Sequence, residues 1–449
     1  MKRRVISLAM VGLMLTSLLA GCGKTASSSS ESVAATESEV AETTENSEEA
    51  VTASENPVTI KTVSMFGGTD PNAVVYEKLN KELMEQYSYI TIEDNSQASD
   101  EDWKASVAAD FAVGNEPDVI QYFTDATANS ILATDKFVTL DEIRAEYPDY
   151  ASETLTASLD AVTNPDGVKR AVPTTGYWEG LYCNKDLFDQ YGVELPTDWA
   201  SLVTAIETFK ANDITPIAVS LNEVPHYWIE FLMLYAAGEE EYATVPETAP
   251  EGWVTGLETF KTLRDMGAFP VDTDTVDDAY TGQLFKDKKA AMQLDGSWYA
   301  GGITDKDNTV VIAFPGVENQ KAQKNAMVGG MSSGFYITRK AWEDPDKKDA
   351  AVKFVMAHTS KNGVQQYWEA TGAIAKAATE VEPISGMTPL AESALEYTNS
   401  ASTINAPTDS RLGQEPYSII VSNVVKISIG EVSPQDVLDE ALALYAQRN

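Results

Sequence analysis

The sequence predicts an α/β protein of two lobes joined by crossover segments, and three observations carry that expectation. Strand-like and helix-like segments alternate along most of the chain, the pattern of strands covered by helices. Beyond a polar N-terminal stretch there remain about 390 residues with Trp, Tyr and Phe spread throughout, too many for one hydrophobic core. Near the middle, residues 169–196 read as a strand entered through Pro173 that passes into a short helix, as a strand crossing between two lobes would.

The elements follow in order. Residues 58–64 alternate as a strand and stop at a Gly67-Gly68 turn. Phe66 and Asp70 are candidate walls of a site there, because open α/β sheets meet ligands at the carboxyl ends of their strands; a plain turn is the alternative. A helix over 72–87 places Val75, Leu79 and Leu83 on one face, and 90–93 is the next strand. A helix over 103–111 ends near Gly114, and Pro117-Asp118-Val119 opens another strand. Asp125, just beyond it, either faces a ligand or caps the following helix. In the central strand, Tyr177, Trp178 and Glu179 are held together, but successive side chains point to opposite faces, so Trp178 and Glu179 do not both reach one site unless the strand bends or the cleft wraps it. Asn184 caps a helix over 185–191 that closes at Gly192.

In the second half, residues 199–211 are helical and 216–220 a strand. A loop then carries His226, Tyr227 and Trp228 ahead of a helix starting at Ile229. Residues 285–292 lead to Leu294-Asp295-Gly296-Ser297-Trp298, whose glycine turn projects Ser297 and Trp298 from a strand end. Gly330 and Met331 lie in a glycine-rich turn before a strand at 335–338, and helices over 416–429 and 433–445 end the chain, with Arg411 and Tyr417 near the first of them.

Composition narrows the function. The net charge is −37, or −40 without Lys2, Arg3 and Arg4, which opposes binding to nucleic acid, polyanions or anionic lipid. Only Cys22 and Cys183 are present, and two histidines, His226 and His358, so a His/Cys metal site is not expected and a Ser-His-Asp hydrolase would rest on one imidazole. Lys2, Arg3 and Arg4 precede a short apolar run over 5–20, a secretion signal rather than a membrane span. The run ends in Leu19-Ala20-Gly21-Cys22, which resembles the lipobox of bacterial lipoproteins, with Cys22 as the lipidated residue; an ordinary signal with a chance cysteine is the alternative. Residues 23–56 are rich in Ser, Thr, Ala and Glu without an aromatic, a disordered tether spanning roughly 30–35 Å.

A family resemblance adds to these readings. Val172-Pro173, Leu181-Tyr182, Asn184-Lys185-Asp186-Leu187-Phe188, residues 192–197 and Trp199, with Phe285-Lys286, Ala290-Ala291-Met292 and Gly296-Ser297-Trp298, resemble the family 1 extracellular solute-binding proteins of sugar ABC transporters, maltose-binding-protein-like. The resemblance implies a two-lobe periplasmic-binding-protein-like fold with a ligand cleft between the lobes. Residues 310–314 with Pro315-Gly316, and residues 371–374, resemble crossover motifs of the same family, which implies a second crossover at 310–314 and a third after Ile374. Residues 57–175 and 316–375 would form one lobe, and 176–315 and 376–449 the other, behind a signal at 1–22 and the tether at 23–56. It implies a non-enzymatic, monomeric lipoprotein on the outer face of the cell membrane, without cofactor or metal, that passes an oligosaccharide to ABC permease subunits. In that frame Trp298 stacks on the sugar, Asp125 meets hydroxyls, backbone near Gly330 approaches the ligand, and Tyr417 stands at the cleft with Arg411 nearby. Two alternatives stay open: a secreted lipoprotein glycosidase, and the same fold holding a non-sugar solute.

Overall fold

A computed structural model of the chain describes residues 56–68, 70–373 and 375–448. The signal segment, Cys22 and the tether through residue 55 lie outside the described residues, as does Ile374. Ten strands occur among the described residues: β1 Val58–Ser64, β2 Ile90–Asp94, β3 Val119–Phe123, β4 Tyr177–Asn184, β5 Thr215–Ala218, β6 Ala290–Gly296, β7 Thr309–Ile312, β8 Ala326–Gly330, β9 Ser333–Ile337 and β10 Thr403–Asn405. They form two separate sheets, one ordered β2-β1-β3-β9 and the other β10-β8-β4-β6-β5, with β7 also paired to β4.

The first sheet is parallel except for β9, which runs antiparallel to β3. Alternation in β1 buries Val58, Ile60, Thr62 and Ser64 and turns Thr59 and Lys61 to solvent. Helices Ala73–Gln86 and Pro345–Thr359 supply Tyr76, Leu79 and Phe354 to its core. His358 lies in that core, with Nδ1 2.7 Å from the Tyr367 hydroxyl and Nε2 2.9 Å from the Asn80 amide oxygen. Burial lowers its pKa to about 3, so the ring is a neutral packing residue.

The second sheet is covered on both faces, which is why β4 is almost wholly buried. Leu181 and Cys183 pack with helices His226–Ala237 and Glu251–Met266, while Trp178 and Tyr182 pack the other way with Leu390 and Tyr397. Cys183 is a free, buried thiol whose pKa burial pushes up, a small hydrophobe in effect.

The chain passes between the sheets three times. Val172 still bridges Phe335 of the first sheet, whereas Tyr177 pairs with Gly330 of the second, so the first crossing lies at 173–176. The third runs beside it: Thr175 bridges Ala377, Gly176 N donates to Lys376 O at 2.6 Å, and Ala378 N donates to Thr174 O at 2.8 Å. The second crossing differs from the expectation. Residues 310–314 do not cross; β7 pairs antiparallel with the end of β4, Leu181 opposite Ile312 and Asn184 opposite Thr309. The chain leaves the second sheet only after β8 and enters the first at β9, so the step lies at Met331-Ser332, and 316–330 goes with the second sheet. The apolar run Val310-Val311-Ile312 completes a sheet edge instead of spanning two bodies.

Candidate functional site

Three aromatic rings gather where the lobes meet. Trp298 lies 6.0 Å from Tyr177 and 6.1 Å from Tyr227, centroid to centroid, and all three are half-buried. Each comes from a different element: Tyr177 begins β4, Tyr227 stands in the first turn of helix His226–Ala237, and Trp298 follows β6 in a short 3-10 helix, Ser297–Gly302. Gly296 makes the arrangement possible. A Cβ there would sit 2.2 Å from the Trp298 ring, so the indole folds back over the strand end where a side chain would otherwise stand. Gly296 pairs with Glu179, and residues opposite each other across antiparallel strands project to the same face. Trp298, Glu179 and Tyr177, two residues before Glu179, therefore share one face of the second sheet.

Carboxylates surround these rings. Glu179 is 4 % exposed and its Oε2 has no hydrogen-bond partner. Burial pushes its carboxyl well above the usual range, and the nearby Glu230, Asp409 and Asp295 add to the rise. From the first lobe, Asp125 caps the turn after β3 by accepting from Thr127 N at 2.9 Å. Burial, then Asp409, raises it to about 7. Asp409 is raised by burial against the pull of Lys104. Lys104 donates to Glu101 at 2.8 Å and lies 5.1 Å from the Phe123 ring centroid. Asp295 accepts from Gln293 Nε2 at 2.9 Å and from Gly296 N at 2.7 Å. His226 is lowered to about 4 by burial and by Lys104, so it is a neutral donor or acceptor near neutral pH.

The lobes touch across this region. Gln414 Nε2, in the second lobe, donates to Glu101 O at 3.2 Å. Gly301 packs so tightly on the first lobe that a Cβ would lie 2.7 Å from Ala370 O and 2.8 Å from Pro71 Cβ. Tyr177 is tied to the second crossing by a hydrogen bond with Ser332, and burial followed by Glu179, Asp409 and Asp125 raises its hydroxyl pKa.

The expected site residues divide into those gathered at the rings and those elsewhere. Tyr177, Glu179, Tyr227, Trp298, Asp125 and His226 gather there. Trp178 does not: strand alternation turns it to the opposite face, where it stacks on Tyr182 at 6.0 Å and meets Tyr397 edge-on at 5.5 Å. Trp228 is also a core residue, because the helix begins at His226 rather than at Ile229 and rotates this indole against Phe269 and Phe314. Phe66 packs in the first lobe's core, 5.2 Å from Tyr367, and Asp70 accepts from Asn72 N at 2.7 Å at the start of helix Ala73–Gln86, its carboxyl raised to about 6 by burial. Tyr417 is buried with its hydroxyl on Glu230 at 2.5 Å, and Arg411 donates to Ala406 O at 2.6 Å over the Tyr242 ring. Ser297 Oγ lies 3.5 Å from Trp178 N, and Met331 packs with Val162 and Ala378 at the second crossing beside exposed Gly330. Asp409 and Lys104 were not expected: Asp409 acquires its place only when the C-terminal segment packs on the turn after β3, and Lys104 only when its helix packs beside Phe123.

A model of the bacterial extracellular solute-binding proteins matches residues 78–390, more than half of the chain. The chain belongs to this family. Among solved structures, this solute-binding protein is similar to a chitin oligosaccharide binding protein, with a TM-score of 0.75 and 21 % identity over 87 % of this chain and 98 % of the other. It is also similar to a sugar transporter protein from Bacillus licheniformis in complex with stachyose, with a TM-score of 0.69 and 17 % identity over 87 % of this chain and all of the other. These likenesses show the fold: two mixed α/β lobes connected by crossovers. By sequence, it is 25 % identical over 218 residues to the multiple sugar-binding protein of Streptococcus mutans, covering 45 % of this chain and 50 % of that one. It is 23 % identical over 203 residues to a probable sugar-binding periplasmic protein of Brucella suis, covering 38 % and 47 %. The solute-binding protein thus spans about half the length of the curated relatives it matches.

Proposed function

We propose that this solute-binding protein captures a sugar, an oligosaccharide in our reading, between its lobes and delivers it to the permease subunits of an ABC transporter. The observation that carries the reading is the cluster of Tyr177, Tyr227 and Trp298 at the lobe junction, edged by carboxylates from both lobes. A sugar offers apolar C-H faces and a rim of hydroxyls, and rings bordered by acceptors answer both. The sugar-binding names of the curated relatives support the same class. The lobes of this reading are 57–175 with 332–375, and 176–331 with 376–449. The protein works as a monomer, without cofactor or chemistry, held outside the cell by a lipid on Cys22.

Tryptophan fluorescence during titration with mono-, di-, tri- and longer saccharides tests the site, with a saturable change expected for at least one. No response across the panel sinks the sugar reading in favour of a non-sugar solute, and release of shortened products would establish the glycosidase alternative. Cys22→Ser is expected to release the protein from the membrane fraction or leave it unprocessed; unchanged anchoring on fractionation removes the lipid assignment.

A further inference from the structure

We infer that the cleft is built for a carbohydrate carrying a primary amine, with the ammonium seated between the Tyr177, Tyr227 and Trp298 rings and the Glu179 carboxylate. The inference rests on the carbohydrate reading above and names the substrate class within it.

Glu179 supplies the first reason. Buried polar atoms in folded proteins are paired, and an unpaired one points to a missing partner. The other carboxyl residues that are themselves buried in the second lobe are served: Glu230 accepts from the Tyr242 and Tyr417 hydroxyls and from Thr408 N, and Asp295 from Gln293 and Gly296 N, while Glu241 Oε1, also unpaired, belongs to a half-buried residue. Glu179 Oε2 is enclosed beside the rings without a donor.

Charge supplies the second. The charges that act on Glu179 itself are all acidic, Glu230, Asp409 and Asp295, whereas Lys104 and Arg411 act on Asp409 and Lys286 on Asp295. The bases in the region are engaged elsewhere: Lys104 with Glu101, Arg411 with Ala406 O and the Tyr242 ring, Lys286 over the Tyr299 ring at 5.0 Å. His226 is held neutral by its burial. A neutral hydroxyl would pair the orphan oxygen, whereas an ammonium would pair it and also hold the Glu179 carboxyl ionised against its burial and the acids around it.

The rings supply the third. An ammonium within about 6 Å of aromatic centroids is attracted by their faces, and a carboxylate on the same side completes its hydrogen bonds. A metal ion does not fit the same features, because among the described residues no group of three or more His, Cys, Asp and Glu side chains converges as metal ligands.

The test is calorimetric titration of the full chain, at about pH 7, with glucosamine and its β-1,4-linked di- to tetramers, against the matching glucose and N-acetylglucosamine series. The amine series is expected to bind roughly tenfold tighter or more than both others at the best length. In Glu179→Gln that ratio should collapse toward one, with circular dichroism and melting temperature verifying the fold. Equal or tighter binding of the glucose or N-acetyl series, failure of the amine series to bind, or persistence of the ratio in Glu179→Gln each overturns the inference. Failure of this series while other saccharides still quench fluorescence leaves the carbohydrate reading intact; failure of all saccharides removes both.

Discussion

Trp298 and Trp228 stand in neighbouring motifs of the same lobe, yet truncating them should have opposite effects. Trp298 is half-buried beside Tyr177 and Tyr227, so Trp298→Ala is expected to lower sugar affinity by roughly thirtyfold or more, about 2 kcal/mol, with little change in melting temperature. Trp228 is 1 % exposed among Phe269 and Phe314, and Trp228→Ala is expected to cost about 3–5 kcal/mol of stability. Paired titration and melting of the two variants checks the contrast, and a reversed pattern would exchange their roles. Gly296→Ala should act like Trp298→Ala on affinity, because the added Cβ takes the space the indole occupies. How much of the site was legible in the sequence follows from the range of each signal. Gly296-Ser297-Trp298 is local, and Tyr177 with Glu179 follows from strand alternation, so both could be read. Trp228 was misplaced because a three-residue shift in a helix start turns a side chain through most of a revolution. Asp409 had no local signal at all.

The crossings set what the lobes can do at the scale of elements. A resemblance to the family's crossover marked residues 310–314, but a local motif carries no information about which sheet a strand joins; that is decided by the pairing of β7 with β4, more than a hundred residues earlier. The first crossing was legible from the strand entered through Pro173, and the third from the resemblance of residues 371–374 to the family's loop between lobes. Lobe contact now has an identifiable lever. Gly301 touches Pro71 and the backbone of Ala370, and neither the proline ring nor a helix-end carbonyl can yield as a flexible side chain would. Gly301→Val should therefore hold the lobes apart. Small-angle scattering is expected to show a larger radius of gyration at saturating sugar than in wild type, with weaker affinity and an unchanged far-UV spectrum. Compaction identical to wild type would mean that this contact does not limit closure.

The whole molecule gathers acidic groups into places where water is scarce, and this fixes the sign of its response to pH. Burial raises Asp70 to about 6, Asp125 to about 7 and Asp278 to about 6, from 3.8. Burial also raises Glu179, Glu230, Asp295 and Asp409. A carboxyl whose pKa is higher folded than unfolded binds its proton more tightly when folded, so its contribution is fully present below the unfolded value and is lost as pH climbs through the folded one. His226 and His358 act oppositely: lowered from 6.5 to about 4 and about 3, they cost stability as pH falls below 6.5. Above that value the histidines are neutral in both states and only the carboxyls change the balance. The ligand-free protein should thus melt at least ~2 °C higher at about pH 6.5 than at about pH 8, a shift that corresponds to roughly 1.5 kcal/mol or more for a chain of this size. Asp125→Asn tests the assignment, since removing the group raised to about 7 should shallow the slope between those two values. A melting temperature that rises with pH, or a slope unaffected by Asp125→Asn together with the same change at Asp278, would show that these carboxyls are hydrated in solution and that the lobes stand open without ligand.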